Sequence, residues 1–166
     1  MRILIATAST HGCTRAFAEL IGEVFTEVGH YVIHADVESQ PSLDVDAVVL
    51  GSAVYGARPM AAGRQFGQRL EREFTGPTWA YAVGVKNITR DPLKTTFTEP
   101  RTGNPLEQRY PIFGGVINPD GLSIPEKALI GMLGAAGTDL RDEELVQGWA
   151  LMVASRLAAQ DHSLQS

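Results

Sequence analysis

The stretch Ser9-Thr10-His11-Gly12-Cys13-Thr14 follows the apolar run Ile3-Leu4-Ile5-Ala6 and precedes a segment of helical periodicity. A strand that leads through a short polar loop into a helix is suited to bind a phosphate. The first amides of the helix have no partner within it, and they carry the positive end of its dipole. The loop adds three hydroxyls, and Gly12 lets the backbone approach an anion closely. The loop contains no lysine or arginine, which suits the phosphate of a bound cofactor better than one undergoing transfer.

Three better-known phosphate loops do not fit this spacing. A dinucleotide fingerprint needs three glycines, and only Gly12 is present, while a P-loop needs Gly-Lys-Ser/Thr, and no lysine lies near. A thiol phosphatase loop would place arginine six residues after Cys13, where the chain has Glu19. An ordinary helix-capping turn stays open as an alternative, because Ser and Thr are favoured there with or without a ligand.

The remaining pattern, Ser-x-x-Gly-x-Thr directly after the first strand, resembles the phosphate loop of flavodoxins. Their usual pattern is Ser/Thr-x-Thr-Gly-x-Thr, and the resemblance implies that the loop wraps the 5′-phosphate of FMN. Here His11 replaces the central threonine, and Cys13 stands where asparagine is common. The resemblance implies that all six residues from Ser9 to Thr14 contribute to binding the cofactor.

Composition and charge narrow the class of protein. With 166 residues, 44% of them apolar and 20% charged, the chain has a globular profile, and we expect one domain over residues 1–160 with a short tail over 161–166. A formal net charge of −5 argues against nucleic acid as the main partner. The single cysteine excludes an internal disulfide, the N-terminal apolar run is too short for a signal peptide, and no stretch approaches a membrane span. We therefore expect a cytoplasmic protein.

Hydrophobic patterns alternate between strand-like and helix-like along the chain. Short apolar runs predict strands, and apolar residues spaced three and four apart predict helices. Strands are expected at 2–8, 31–35, 46–51, 79–85 and 110–115, and helices at 14–28, 59–74, 123–133 and 142–157. Gly29 is the expected C-cap of the first helix, and Pro59 is the expected start of the second. The alternation predicts a five-stranded parallel sheet in a three-layer α/β sandwich, with helices on both faces.

A flavodoxin-like strand order of 2-1-3-4-5 has its switch point between strands one and three, where ligands of such sheets bind. The loops at that point are the 9–14 stretch and the segment from Ser52 to Arg58. The ring of Tyr55 could stack on a flavin, while neighbouring backbone groups bond the edge of the flavin ring. A second ring-contacting loop would follow strand four. The expected cofactor-binding residues of these two loops are Ser52, Ala53, Val54, Tyr55 and Gly56, and Val85, Lys86 and Asn87.

The segment from Lys86 to Arg109 does not fit this plan. It holds Pro92, Pro100 and Pro105, so it cannot form one regular helix, although a flavodoxin-like fold places a helix there. We expect either a helix fragment or an extended loop. Because long loops in compact domains tend to be functional, we favour a lid near the flavin over a plain surface excursion.

Other reactive residues suggest no further site. Cys13 has no histidine-and-acid partnership around it, and the histidines have no spacing suited to a metal. Arg58 and Arg64 could bind an acidic substrate, but exposed arginines are common. Contact with a membrane is at most peripheral, because the apolar segment 128–133 fits a core-packing face better.

The chain as a whole resembles a branch of the flavodoxin superfamily related to the FMN-dependent protoporphyrinogen dehydrogenases of bacteria. The resemblance rests on residues 1–18 and 48–55, on Phe113-Gly114-Gly115, and on the Leu122-Ser123 helix start. It implies noncovalent FMN with two-electron chemistry at the flavin N5. Electrons would pass from a reduced substrate, which could be of the porphyrinogen type, to a quinone or a redox protein. Two alternatives stay open: an electron-shuttle protein without its own substrate, and a flavodoxin-like scaffold that has lost FMN.

Overall fold

A parallel β-sheet between two helical layers forms the centre of the computed structural model. The structure describes residues 1–10, 12–55, 58–116, 124–125, 128 and 139–164, with the side chains of Tyr55 and Leu164 excepted. The strands are β1 (Arg2–Ala8), β2 (Tyr31–Asp36), β3 (Ala47–Tyr55), β4 (Arg58–Pro59), β5 (Thr78–Gly84) and β6 (Ile112–Gly114). The helices are α1 (Cys13–Glu27), α2 (Ala61–Glu73), the one-turn α3 (Thr95–Thr98) and α4 (Glu143–Leu164), and short 3₁₀ turns span Val37–Ser39 and Pro105–Glu107.

Five strands run parallel in the order β2-β1-β3-β5-β6, and the two-residue β4 pairs antiparallel with β3. The predicted five-stranded parallel sheet of order 2-1-3-4-5 is confirmed, with β5 and β6 as its fourth and fifth strands. Residues 3–8 of β1 and all residues of β5 are buried, as expected for parallel strands covered on both faces. The architecture is flavodoxin-like.

The two faces of the sheet carry separate hydrophobic cores. On one face, α1 and α4 cover an aromatic cluster in which the rings of Tyr81 and Phe113 each lie 6.0 Å from that of Trp149. On the other face, Phe66 and Leu70 of α2 pack against the sheet. Trp149 is fully buried. Removal of such apolar surface from water is the main force that holds the layers together.

The third strand is longer than its apolar run. The sequence predicts a loop over residues 51–58, but β3 continues through Tyr55, and its last two residues pair with β4. This pairing places Pro59 in a strand, so α2 begins at Ala61 and not at the proline. The prediction was wrong because a two-residue strand is too short to show a period in the sequence.

The proline-containing segment between β5 and β6 forms two short turns, α3 and the 3₁₀ turn Pro105–Glu107, in place of a full helix. Three donors from the core bond its backbone carbonyls: Trp79 Nε1 to Thr98 O at 3.0 Å, Trp149 Nε1 to Phe97 O at 3.1 Å, and Thr78 N to Arg101 O at 2.6 Å. Thr78 is the first residue of β5, so this part of the segment lies toward the amino-terminal end of the sheet. This part of the segment is therefore a helix fragment, which was one of the two expected alternatives. Residues 95–105 do not form a lid over the carboxyl edge of the sheet, where the flavin was expected.

Sequence signals set the ends of α1 and α4. Gly29, with φ +95°, directly follows the last turn of α1, as predicted for a capping glycine. At the start of α4, the Leu145 N–H donates to the Asp142 carboxylate at 3.2 Å. The helix then runs through residues 161–164, which were expected in a tail. The predicted helix at 123–133 lies almost entirely outside the described residues. None of the described helices is long and apolar enough to cross a membrane.

Candidate functional site

The carboxyl ends of β1 and β3 lie side by side, because Ala8 is opposite Ser52 in their parallel pairing. The loops that follow these strands therefore meet at the switch point of the sheet, where ligands of doubly wound sheets bind. The end of β5 is adjacent, with Val83 opposite Ala53. As far as the structure describes them, the three predicted segments at 9–14, 52–56 and 85–87 come together at this edge.

The loop after β1 is closed by one of its own side chains. The Gly12 N–H donates to the Ser9 hydroxyl at 3.2 Å, and α1 begins at the next residue. Gly12 has φ +83°, a left-handed conformation that other residues rarely adopt. Nothing lies within 4 Å of the position that a Cβ would take there, so glycine is needed for its backbone and not for space. Thr10 is exposed, and His11 lies outside the described residues.

A buried tyrosine fixes the first turn of α1 to the sheet. The Tyr81 hydroxyl donates to the Thr14 carbonyl at 2.7 Å, and both residues are almost fully buried. Burial raises the pKa of Tyr81, so the hydroxyl remains protonated and remains a donor. Its ring crosses Gly51 so closely that any Cβ there would overlap it. The amides at the start of α1 are thus positioned before any ligand arrives. Sequence reasoning missed Tyr81, which looks like one more apolar strand residue.

The charges at the start of α1 favour an anion. The first turn of the helix carries no acidic residue, and its one charged side chain is Arg15. Arg15 forms a 3.6 Å ion pair with Asp36 at the end of β2, and both side chains are partly exposed. The helix dipole and the unpaired amides therefore act at the loop without a carboxylate from the same turn.

The segment after β3 is organised by Ser52. This residue is fully buried, and its hydroxyl donates to the Ala53 carbonyl at 3.0 Å and accepts from the Met60 N–H at 3.1 Å. Its side chain faces α2, since a Cβ on Gly63 would lie 3.0 Å from the Ser52 Oγ. Ala53 and Val54 continue β3 toward the hairpin end. If Ser52 contacts a cofactor, it does so through its backbone.

The predicted ring contacts lie at the same edge of the sheet and stay predictions. Tyr55 is the last residue of β3, but its side chain and Gly56 lie outside the described structure. After β5, Val85 is half-buried, and Lys86 and Asn87 are exposed. Asn87 has φ +56°, a conformation that asparagine tolerates better than most residues and that turns the chain sharply after the strand.

The end of β6 adds residues that were not predicted as part of the site. A Cβ on Gly115 would lie 2.9 Å from Val83 and 3.9 Å from the Cβ of Cys13, so β6 ends beside the start of α1. Nearby, the Arg141 guanidinium donates to both carboxylate oxygens of Asp139, at 2.8 to 3.2 Å. These hydrogen bonds lower the pKa of Asp139 to about 2 and raise the pKa of Arg141. The double glycine at the end of β6 was visible in the sequence, but the closeness of Gly115 to Cys13 depends on the topology.

These features define an α/β protein of flavodoxin-like architecture with a polar, glycine-containing loop at its switch point. The flavodoxin domain family matches residues 4–143, which is most of the chain, and the chain belongs to this family. A comparison with curated proteins found no match.

Several solved structures have a similar fold. Oxidised flavodoxin 2 from Bacillus cereus is 18% identical, with a TM-score of 0.50, and the match covers 96% of this chain and 99% of that one. A flavodoxin from the domain Archaea is 15% identical, with a TM-score of 0.51 and coverage of 96% and 98%. The rubredoxin oxygen:oxidoreductase of Desulfovibrio gigas is 14% identical, with a TM-score of 0.55, but the match covers 95% of this chain and 36% of that one. At these identities the likeness shows the fold alone.

Membership of the family implies a flavin, and the residues at the switch point fit its phosphate. The open backbone at Gly12, the amides and hydroxyls of the loop, and a first helical turn without acidic residues form the donor set that a phosphate monoester requires. Among the described residues, no group of three His, Cys, Asp or Glu side chains could hold a metal ion.

Proposed function

We propose that the chain binds FMN noncovalently at the carboxyl edge of its sheet and takes part in electron transfer. The observation that carries this proposal is the architecture of the loop from Ser9 to Thr14. It is closed by the hydrogen bond from Gly12 to Ser9 and anchored to the sheet by the hydrogen bond from Tyr81 to Thr14. A loop held in this way loses little conformational freedom when a phosphate binds. The family match supports the same cofactor.

Each segment of the edge has one role in this proposal. The amides of residues 9–14 and the hydroxyls of Ser9, Thr10 and Thr14 would bind the phosphate. The segments 52–56 and 85–87 would hold the flavin ring, with Tyr55 against one face. The bound flavin supplies two-electron chemistry at its N5, while the residues of the chain bind it, orient it and limit its exposure to water.

The finer proposal is a dehydrogenase that resembles the bacterial FMN-dependent protoporphyrinogen enzymes. Electrons would pass from a reduced substrate of the porphyrinogen type to a quinone or a redox protein. The Gly-Ser-x-x-Tyr segment at 51–55 and the Phe-Gly-Gly motif at 113–115 support this branch. A cytoplasmic location, without nucleic acid as a partner and with at most peripheral membrane contact, belongs to the same proposal.

An electron shuttle without its own substrate is the second candidate. The observation that favours it is the extent of the structural matches, which cover 98% and 99% of two flavodoxins. The net charge of −5 is milder than the acidity usual in shuttle flavodoxins and counts against it. The third candidate, a scaffold that has lost FMN, is supported only by the changes at His11 and Cys13.

An absorption spectrum of the purified protein tests the cofactor. The spectrum is recorded before and after addition of FMN, with unbound flavin removed. We expect the protein to retain a flavin spectrum with about one FMN per chain, because hydrogen bonds already hold Gly12 to Ser9 and Thr14 to Tyr81 before a ligand binds. A protein that stays colourless after this treatment would refute the cofactor proposal and leave the scaffold candidate.

Anaerobic turnover with protoporphyrinogen and a quinone then separates the first two candidates. A dehydrogenase reduces its flavin with the substrate alone and is reoxidised by the quinone. A shuttle exchanges electrons with a flavin reductase and leaves the porphyrinogen unchanged.

A further inference from the structure

We infer that Arg58 supplies the positive charge that the 9–14 loop itself lacks, and that it pairs with the phosphate of the bound cofactor. The inference rests on the proposed function, since it concerns the same phosphate. The loop contains no lysine or arginine. A phosphate monoester carries close to two negative charges at neutral pH, so amides and hydroxyls alone leave its charge without a cation.

The hairpin lies on the β1 side of β3. The Val48 N–H donates to the Pro77 carbonyl, which precedes β5, so Val48 directs its hydrogen-bonding groups toward β5. These groups alternate between the two neighbours along a strand, so the carbonyl of Ala53 is directed toward β1. That carbonyl accepts the Met60 N–H at 3.2 Å. Because β1 ends at Ala8, opposite Ser52, the returning strand β4 lies over the end of β1, where the 9–14 loop begins.

The side chain of Arg58 lies on the same face of the sheet as α1. Side chains alternate between the two faces of a strand. Ser52 faces α2, so Val54 lies on that face, and Pro59 shares it as the cross-strand partner of Val54. Arg58 precedes Pro59 and therefore lies on the opposite face, which α1 covers. The chain passes from β1 to α1 on this face, so the alternation places Arg58 on the side of the hairpin where α1 begins.

The charge of Arg58 is available to a ligand. The residue is exposed, and among the described residues no carboxylate lies within 4.0 Å of its guanidinium. Two other arginines near the loop are already paired: Arg15 with Asp36, and Arg141 with Asp139. A guanidinium can donate two parallel hydrogen bonds to one phosphate group, which a lysine cannot do. Arg58 is thus a positioning residue for the phosphate of the cofactor.

The test compares the binding of FMN and of riboflavin, which lacks the phosphate. Protein freed of flavin is titrated with each compound, and the dissociation constant is read from the quenching of flavin fluorescence. We expect Arg58→Gln to weaken FMN binding about five- to tenfold at low salt and to leave riboflavin binding unchanged. Arg58→Lys should keep part of the FMN affinity. Arg72→Gln is the matched control, because Arg72 is an exposed arginine in the last turn of α2, at the other end of that helix.

A second measurement applies if Arg58→Gln does not fold, as judged by circular dichroism. The dissociation constant of FMN is then followed against salt for the unaltered protein and for Arg58→Lys, and riboflavin serves as the uncharged reference. The inference requires the dissociation constant of FMN to rise with salt concentration, while that of riboflavin stays the same. FMN affinity equal to that of the unaltered protein in Arg58→Gln, an equal loss for both flavins, or salt-independent FMN binding would overturn it. Failure of the unaltered protein to bind FMN would instead refute the proposed function.

Discussion

Two irregular, polar segments differ in how their backbone groups are hydrogen-bonded. They are the loop from Ser9 to Thr14 and the segment from Lys86 to Arg109. In the longer segment, carbonyls are bonded by the buried indoles of Trp79 and Trp149. In the short loop, nothing lies within 4 Å of the position that a Cβ on Gly12 would take, and the first amides of α1 have no acceptor within the helix. Core indoles bond the carbonyls of the longer segment, whereas the short loop is closed by its own hydrogen bond from Gly12 to Ser9. This difference, more than loop length, marks the candidate site.

The largest effect on stability is expected where a core side chain contacts the segment from Lys86 to Arg109. Trp149→Ala removes a fully buried indole and its hydrogen bond to the Phe97 carbonyl. We expect the free energy of unfolding to fall by about 3–5 kcal/mol, measured by urea denaturation. Leu151→Ala in the same helix is the control, because Leu151 is 51% exposed and its loss should cost less than about 1 kcal/mol. An equal loss of unfolding free energy in the two variants would mean that Trp149 does not stabilise the segment from Lys86 to Arg109.

A smaller effect, of another kind, is expected at the short loop. Ser9→Ala combined with Thr14→Val removes two hydroxyl groups from the proposed phosphate site. We expect FMN to bind about tenfold to a hundredfold more weakly, while the urea midpoint changes little. Fluorescence titration gives the affinity, and Thr26→Val at the far end of α1, whose hydroxyl bonds the Gly22 carbonyl, is the control. Unchanged FMN affinity in the double variant would contradict the assignment of the loop.

The smallest effect is a change of stability with pH. It comes from His30, which lies at the end of the sheet away from the candidate site. Burial lowers the pKa of His30, the positive charge of the N-terminus lowers it further, and Asp161 opposes them. The folded pKa thus lies below the unfolded value of 6.5, so the unfolded chain binds the proton first as the pH falls. Stability is fully present above about pH 6.5 and decreases as the pH falls through the folded pKa.

His30→Gln should flatten this part of the stability profile. Urea midpoints measured between about pH 5 and pH 7.5 give the comparison, since a histidine side chain changes its charge in this range. FMN affinity at constant pH should not change, because His30 lies at the amino-terminal end of β2. A profile that stays as steep in the variant would assign the pH dependence to another group.

Part of the site could be predicted because it is local in the sequence. The hydroxyls and the glycine of the 9–14 loop occur within six residues, and Gly12 takes a left-handed φ that glycine adopts readily. The stretch after Gly51 was harder to predict. Its apolar residues suit either a strand or a loop, and the outcome depends on pairing with a two-residue partner strand. The Ser52 side chain faces α2, and the contacts predicted for this residue, which are those of its backbone, stay predictions.

The sequence by itself determined the parallel sheet and the position of the polar loop after β1, and its resemblance to flavodoxins predicted the strand order. The sheet and the loop follow from hydrophobic period, from helix capping and from one short motif, which act over a few residues. Only the tertiary structure decided the course of the 86–109 segment, the pairing of β3 with β4, and the anchoring of α1 by Tyr81. The last of these joins residues 67 positions apart in the chain. A contact of that kind depends on how the layers pack, and no local pattern of residue types encodes it.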